Sequence, residues 1–203
     1  MDIISRINKK RYFFGVVGLF LFFLFLVSCS HKAGSVLSVI PWGHKPDPKP
    51  TWSFGKRGII INYKADKQIN MFDNRPHTLL LVVYQLKDIN NFIELAKYED
   101  GLKQLLEVRG DDPTVMASDK IFIEPGSSDT IVLDRAEKAR WVGIVAGYYQ
   151  LDPQKVSRIF KIPFRIETKG LIMRKRIAKI ERLKINLILG KSGIQVLKEK
   201  RKR

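Results

Sequence analysis

The segment from Thr78 to Leu86 constrains the fold more than any other part of this chain. Residues 79–84 are almost entirely apolar and belong to types that favour strands. A strand with one face in water would alternate apolar and polar residues, and this segment does not. We therefore expect a strand that is covered on both faces.

Shorter apolar segments predict further strands around it. They are separated by Gly-rich and Pro-rich turns, and Pro163 favours an edge position for the strand that contains it. The predicted strands are 59–61, 120–124, 130–134, 140–150, 159–166 and a C-terminal hairpin of 183–189 with 194–196. Short strands with such turns are typical of a β-sandwich.

One helix is predicted between the second and third strands. Its apolar stripe recurs at spacings of three and four residues, which is the helical period. Asn91 and Glu94 fit a capping box at its start. We expect the stripe to pack on the sheet; its members are Phe92, Leu95, Tyr98, Leu102 and Leu105.

The N-terminus has the layout of a signal peptide. Four basic residues between positions 6 and 11 precede sixteen uncharged residues, 12–27. A membrane-spanning helix needs about 20 apolar residues, so this segment is short for a permanent anchor. An uncleaved signal anchor is the alternative.

The residues after this segment, Leu26-Val27-Ser28-Cys29, resemble the lipobox of bacterial lipoproteins. Cys29 is the only cysteine in the chain, so an intramolecular disulfide is excluded. We predict that 1–28 is a lipoprotein signal peptide, and that Cys29 then carries a covalent diacylglycerol and an N-acyl chain. Ser30 after it favours sorting to the outer membrane of a Gram-negative bacterium, where the protein would face the periplasm.

Residues 29–58 read as a flexible linker. Four prolines between positions 41 and 50 favour extended polyproline II, which makes a semi-rigid tether. The aromatic residues Trp42, Trp52 and Phe54 could instead dock on the domain that follows. That domain, 59–203, is predicted to be one β-sandwich with a basic C-terminal extension.

The charge of the chain is strongly positive, with 37 basic and 20 acidic residues and a net charge of +17. Removal of 1–28 leaves about +14. Such a surface favours an anionic partner, but export argues against nucleic acid. Residues 169–203 form a solvated charged tail or a basic amphipathic helix that contacts anionic lipid.

No enzymatic motif is found. The three histidines lack metal-ligand spacing, and the sequence holds no phosphate-binding loop or serine nucleophile elbow. Adjacent acidic residues, such as Asp111 and Asp112, are usually surface charge. We predict a binding protein that is not an enzyme, with no metal and no cofactor besides the covalent lipid.

Several segments together resemble TssJ, the outer-membrane lipoprotein family of type VI secretion systems. The resemblance covers about residues 59–166, beside the lipobox at Cys29. It rests on the order of the Asn70 loop, Tyr84-Gln85-Leu86 at the end of the apolar strand, the helix from Asn91, the Pro125-Gly126 turn and the segment 141–149.

This resemblance implies a transthyretin-like β-sandwich with an inserted helix, and a partner. The partner would be the periplasmic C-terminal domain of the inner-membrane subunit TssM, and the loop between the first two strands a main contact. In this chain that loop is Asn70, Met71, Phe72, Asp73, Asn74, Arg75 and Pro76, up to His77.

Within the loop, Met71 and Phe72 would be apolar anchors, while Asp73 and Arg75 would set orientation. The alternative is an ordinary hairpin loop with Phe72 folded inward. A second function also stays open: an envelope lipoprotein that binds anionic lipid, lipopolysaccharide or cell-wall polymer through its basic surface.

Overall fold

The structure, a computed structural model, describes residues 46–108, 111–170 and 174–197. The chain separates into two compact units, 1–46 and 47–203, and the second carries nearly all of the described residues. The predicted signal peptide, Cys29 and Trp42 lie outside the described residues.

The described residues of the second unit form ten strands and three helices. The helices are α1 (Asn90–Ala96), α2 (Glu99–Glu107) and α3 (Pro153–Val156). The strands are β1 (Gly55–Ala65), β2 (Leu79–Leu86), β3 (Val115–Ile123), β4 (Ser128–Arg135), β5 (Trp141–Ala146), β6 (Ser157–Lys161), β7 (Phe164–Lys169), β8 (Lys175–Ile180), β9 (Leu183–Leu189) and β10 (Ile194–Val196). Among the described helices, none is long and apolar enough to cross a membrane.

The strands form two four-stranded sheets and a separate hairpin. Sheet 1 has the order β10-β9-β1-β4, in which only β1 and β9 run parallel. Sheet 2 has the order β3-β2-β5-β6 and is antiparallel throughout. Among the described strands, β7 and β8 pair only with each other. The predicted mainly β sandwich is confirmed.

Sheet 1 has one buried face and one solvent-exposed face, as expected. In β9 the residues Leu183, Ile185, Leu187 and Leu189 are buried, as their alternation predicts. On the outer face Asn62 donates a hydrogen bond to Asn186 and accepts one from Thr130, at 2.8 and 2.9 Å. These contacts tie β4, β1 and β9 together.

Strand β2 is buried on both faces. Seven of its eight residues are buried, and Leu80 is half-buried. Tyr84 faces the helices, where its ring lies 5.7 Å from that of Phe92 and its hydroxyl donates to the Leu105 carbonyl. Burial, with a smaller contribution from Asp112, raises the pKa of Tyr84 to about 12, so the hydroxyl remains a donor.

The predicted single helix is divided into α1 and α2. The chain turns at Tyr98, which is 67% exposed and does not join the buried stripe. Gly101 allows the turn, because a Cβ there would lie 2.1 Å from the Leu95 carbonyl oxygen. The predicted Asn91 cap is also wrong: Ile89 is the N-cap, and the Asn91 amide donates to Asp112 at 2.7 Å.

The predicted strand 159–166 is also divided, here by Ile162 and Pro163. Proline has no N–H for a ladder, so β6 ends before it and β7 begins after it. Strand β7 then pairs with β8, which occupies part of the basic segment. Residues 175–180 are therefore a strand, neither an amphipathic helix nor a solvated tail.

The residues before β1 pack on the sandwich although the sequence suggests a linker there. The backbone N–H of Lys138 donates to the Trp52 carbonyl at 2.7 Å, and the buried Arg135 donates to the Ser53 carbonyl at 2.6 Å. Trp52 meets Phe164 edge to face, with centroids 6.3 Å apart. Phe54, by contrast, is 61% exposed.

Gln85 connects the two sheets through the core. It is 2% exposed, on the face of β2 opposite to Tyr84. Its amide donates to the Asp134 carbonyl of β4 at 2.9 Å, and its oxygen accepts from the Ala136 N–H at 2.7 Å. Both bonds hold the end of β4 against sheet 2.

We predict that Gln85→Leu lowers the free energy of unfolding by about 1–3 kcal/mol, because it leaves a carbonyl and an N–H without partners. Urea denaturation followed by circular dichroism measures the change. Gln195→Leu, on an exposed site of β10, is the matched control and should change stability by less than about 0.5 kcal/mol. Equal stability of both variants would contradict a linking role for Gln85.

Candidate partner-binding site

The loop between β1 and β2 contains a tight turn. Phe72 and Arg75 exchange two backbone hydrogen bonds, each 2.9 Å long. The central residues Asp73 and Asn74 have φ angles of 46° and 54°. Two positive φ angles are the mark of a type I′ turn, and Asn and Asp tolerate them better than most residues. The turn therefore presents Phe72 and Arg75 on a defined backbone.

Three rings gather beside this turn, and we call Phe72, His77 and Tyr149 the aromatic patch. Phe72 and Tyr149 are stacked, with centroids 4.3 Å apart and planes 16° from parallel. The His77 ring meets the Tyr149 ring edge to face at 5.3 Å. Phe72 is 55% exposed and Tyr149 54% exposed. Phe72 thus does not fold into the core.

Asn70 is buried beneath the aromatic patch and forms hydrogen bonds that hold it in place. It is 5% exposed and has a φ of 49°. Its amide donates to the Thr78 carbonyl at 3.1 Å, and its side-chain oxygen accepts from the Tyr149 N–H at 2.8 Å. It fixes both ends of the loop relative to Tyr149, which suits a positioning residue.

The turn between β9 and β10 completes this support. The Asn70 N–H donates to the Lys191 carbonyl at 3.1 Å. The Tyr148 hydroxyl lies 3.0 Å from the Gly190 carbonyl oxygen and 3.1 Å from that of Gly193. Burial raises the pKa of Tyr148, so this hydroxyl stays protonated and can donate.

The other loop residues from the sequence prediction lie at the surface. Met71 is half-buried, and Asp73, Asn74, Arg75 and Pro76 are exposed. They surround Phe72, so exposed charges flank an exposed ring.

Sequence reasoning missed two aromatic residues that extend this surface. Tyr149 was assigned to a strand, yet β5 ends at Ala146 and the chain then turns toward the loop. Phe122 of β3 is 70% exposed and lines a groove of about 340 Å³ that Tyr149 also lines. Gly147 is the available signal that the strand ends there, because glycine is depleted in strands.

The surface beside the turn combines exposed rings with exposed charges. Within the described ranges, no group of three histidine, cysteine or acidic residues could hold a metal ion. The surface instead offers exposed rings on a hydrogen-bonded base. Exposed apolar patches rimmed by charge are typical of protein interaction sites.

Sequence comparison places this fold among known proteins. The family described as "Type VI secretion lipoprotein, VasD, EvfM, TssJ" matches residues 57–186. No curated protein sequence matches the chain.

Solved structures with a similar fold include Lip of Serratia marcescens, a membrane-bound component of the type VI secretion system. It is 20% identical with a TM-score of 0.52, over 73% of this chain and 99% of that one. The lipoprotein TssJ1 of Pseudomonas aeruginosa is 18% identical with a TM-score of 0.50, over 74% and 98%.

A further match lies in a structure described as the type VI protein TssM C-terminal domain, residues 869–1107, from EAEC. It is 17% identical with a TM-score of 0.50, over 70% of this chain and 98% of that one. At these identities the matches establish the fold alone.

We predict that Asn70→Ala lowers the free energy of unfolding by about 1–3 kcal/mol more than Asn74→Ala, as measured by urea denaturation. Both substitutions place alanine at a positive φ, so the backbone strain is matched. Of the two residues, only Asn70 is buried, and its side chain makes two hydrogen bonds. Equal losses in the two variants would contradict the supporting role of Asn70.

Proposed function

Because this chain belongs to the type VI secretion lipoprotein family, we propose that it is a lipid-anchored structural component of the secretion membrane complex. Its body binds the periplasmic C-terminal domain of the inner-membrane subunit TssM. The main observation in support of the binding site is that Phe72 and Tyr149 are stacked and exposed. The family consists of secretion lipoproteins and is not an enzyme family.

The aromatic patch has the properties of a binding hot spot. Aromatic and arginine residues supply most of the binding energy at protein interfaces, and Arg75 lies at the end of the same turn. The patch is also prepared for binding, because the I′ turn and Asn70 already hold Phe72 and Tyr149 in place. Binding then costs little ordering entropy.

The match to the TssM structure supports this partner. The alignment covers 70% of this chain but 98% of the matched chain, so the matched chain is shorter than the present protein. A TssM segment from residue 869 to residue 1107 would be longer than the present protein. We interpret the matched chain as a second, lipoprotein-like chain beside the TssM domain in that structure.

The anchor follows from Cys29 and its lipobox. A diacylglyceryl group and an N-acyl chain on one cysteine provide more than one acyl chain, which stable membrane attachment requires. Ser30 directs this anchor to the outer membrane, with the body in the periplasm.

We predict that Phe72→Ala and Tyr149→Ala each weaken binding to the purified TssM domain by about tenfold or more, as measured by calorimetry. Both side chains are half exposed, so the variants should keep the wild-type circular dichroism spectrum. Replacing Met71, Phe72 and Arg75 together should abolish detectable binding.

Phe54→Ala is the control, because Phe54 is similarly exposed, at 61%, but lies outside the aromatic patch. It should bind as the wild type does. Wild-type affinity in folded patch variants would assign the contact elsewhere. No binding by the wild-type protein would reject TssM as the partner.

We predict that Cys29→Ser abolishes acyl labelling in cells given radioactive palmitate and moves the protein out of the outer-membrane fraction. Serine has no thiol to receive the diacylglyceryl group. Ser28→Ala keeps a small residue before the cysteine and should leave labelling intact. Unchanged labelling and fractionation of Cys29→Ser would reject the anchor.

A further inference from the structure

A second concave site lies where the chain enters the body, and we call it the entry pocket. It has a volume of about 360 Å³. Three aromatic and three basic side chains line it: Trp52, Trp141, Phe164, Lys49, Arg140 and Lys161. The TssM proposal gives this pocket no role.

The three cations of the entry pocket have no carboxylate partner among the described residues. Lys49, Arg140 and Lys161 are exposed, and none forms an ion pair with a carboxylate in the part of the chain that the structure describes. The neighbouring hairpin differs, since Arg165 pairs there with Glu167. Unpaired cations that converge on one concavity attract an anion.

The aromatic residues favour a lipid over a bare anion. Lys161 lies 5.4 Å from the Trp141 ring centroid, and Phe164 is 39% exposed beside Trp52. Tryptophan together with lysine or arginine is the combination that proteins place at the lipid–water boundary. Bare phosphate would use the cations but leave the rings in water, whereas the glycerol and acyl ends of a phospholipid would cover them.

The position of the entry pocket also favours a membrane. Trp141 begins β5, while the aromatic patch follows its end, so the strand, which spans about 17 Å from Trp141 to Ala146, lies between the two sites. Along the chain, Lys49 and Trp52 are the pocket residues nearest to the proposed anchor Cys29. One end of the sandwich can therefore contact TssM while the other contacts lipid.

We propose that the entry pocket binds the phosphate headgroup of an anionic phospholipid in the membrane that carries the chain. Lys49, Arg140 and Lys161 contact the phosphate, and Trp52, Trp141 and Phe164 contact the glycerol region. The membrane as the source of lipid rests on the proposed Cys29 anchor. The pocket chemistry does not depend on the TssM contact.

The test uses the fragment 47–203, which holds every buried residue of the described core, from Ile59 to Ile194. Only two of the three tryptophans remain in it, and both line the entry pocket. Their fluorescence therefore reports on the pocket directly. Vesicles of phosphatidylcholine, with or without phosphatidylglycerol, are the probe.

The fragment should sediment with the phosphatidylglycerol vesicles, and salt should weaken the association. Its fluorescence should shift to shorter wavelength, and brominated acyl chains should quench it. Replacing Lys49, Arg140 and Lys161 with glutamine should weaken binding by about tenfold or more. The control replaces the exposed Lys64, Lys67 and Lys184 with glutamine and removes the same charge.

Equal weakening in both triple variants would mean that net charge alone drives binding, which overturns the entry pocket as the site. Vesicle binding without a fluorescence change would do the same. Glycerol phosphate or inorganic phosphate that binds as tightly as vesicles would make the ligand a soluble phosphate compound, against the proposal. Because the fragment lacks Cys29 and the aromatic patch stays intact, these outcomes are independent of the anchor and of TssM.

Discussion

The fold depends on one strand, β2, that has no solvent-exposed face. Strand β2 is buried on both sides, so it needs a covering layer on each. Its consecutive residues Tyr84 and Gln85 serve the two layers in turn, because neighbouring side chains of a strand point to opposite faces. Tyr84 bonds to α2, and Gln85 bonds to the end of β4 in the other sheet. Helices, sheet 2 and sheet 1 are thereby fixed to one strand.

A core fixed in this way leaves the loops at the ends of the strands free to carry binding. Strand β5 shows the consequence, since it lies beside β2 in the buried centre of sheet 2. Past its end, Tyr149 stacks on Phe72. At its start, Trp141 lies under Lys161. Both proposed sites therefore rest on a strand that the core immobilises, and such preorganisation would lower the entropy lost on binding.

The sequence correctly predicts the secondary structure of segments whose local pattern of apolar residues fits one element only. The apolar segment 79–84 and the alternation from Leu183 to Leu189 have one interpretation each, and both strands are found. Predictions from local sequence pattern are wrong where a contact with a residue distant in the chain determines the secondary structure. The helical spacing continues through Tyr98, but the close approach of Gly101 to Leu95 breaks it. Likewise 175–180 becomes a strand because β7 lies beside it.

The same distinction explains what the sequence says about the candidate site. The Asp73-Asn74 turn and the apolar Phe72 before it are adjacent in the chain, so their exposure on a loop could be expected. The stack of Phe72 on Tyr149 could not be expected from the sequence, because β2, β3, β4 and β5 lie between these two residues in the chain. Asn70 shows the limit most clearly. It belongs to the predicted contact loop, yet the fold buries it to hold Tyr149. A loop sequence thus locates a candidate surface, while the tertiary contacts divide its residues into exposed side chains and buried side chains that position them.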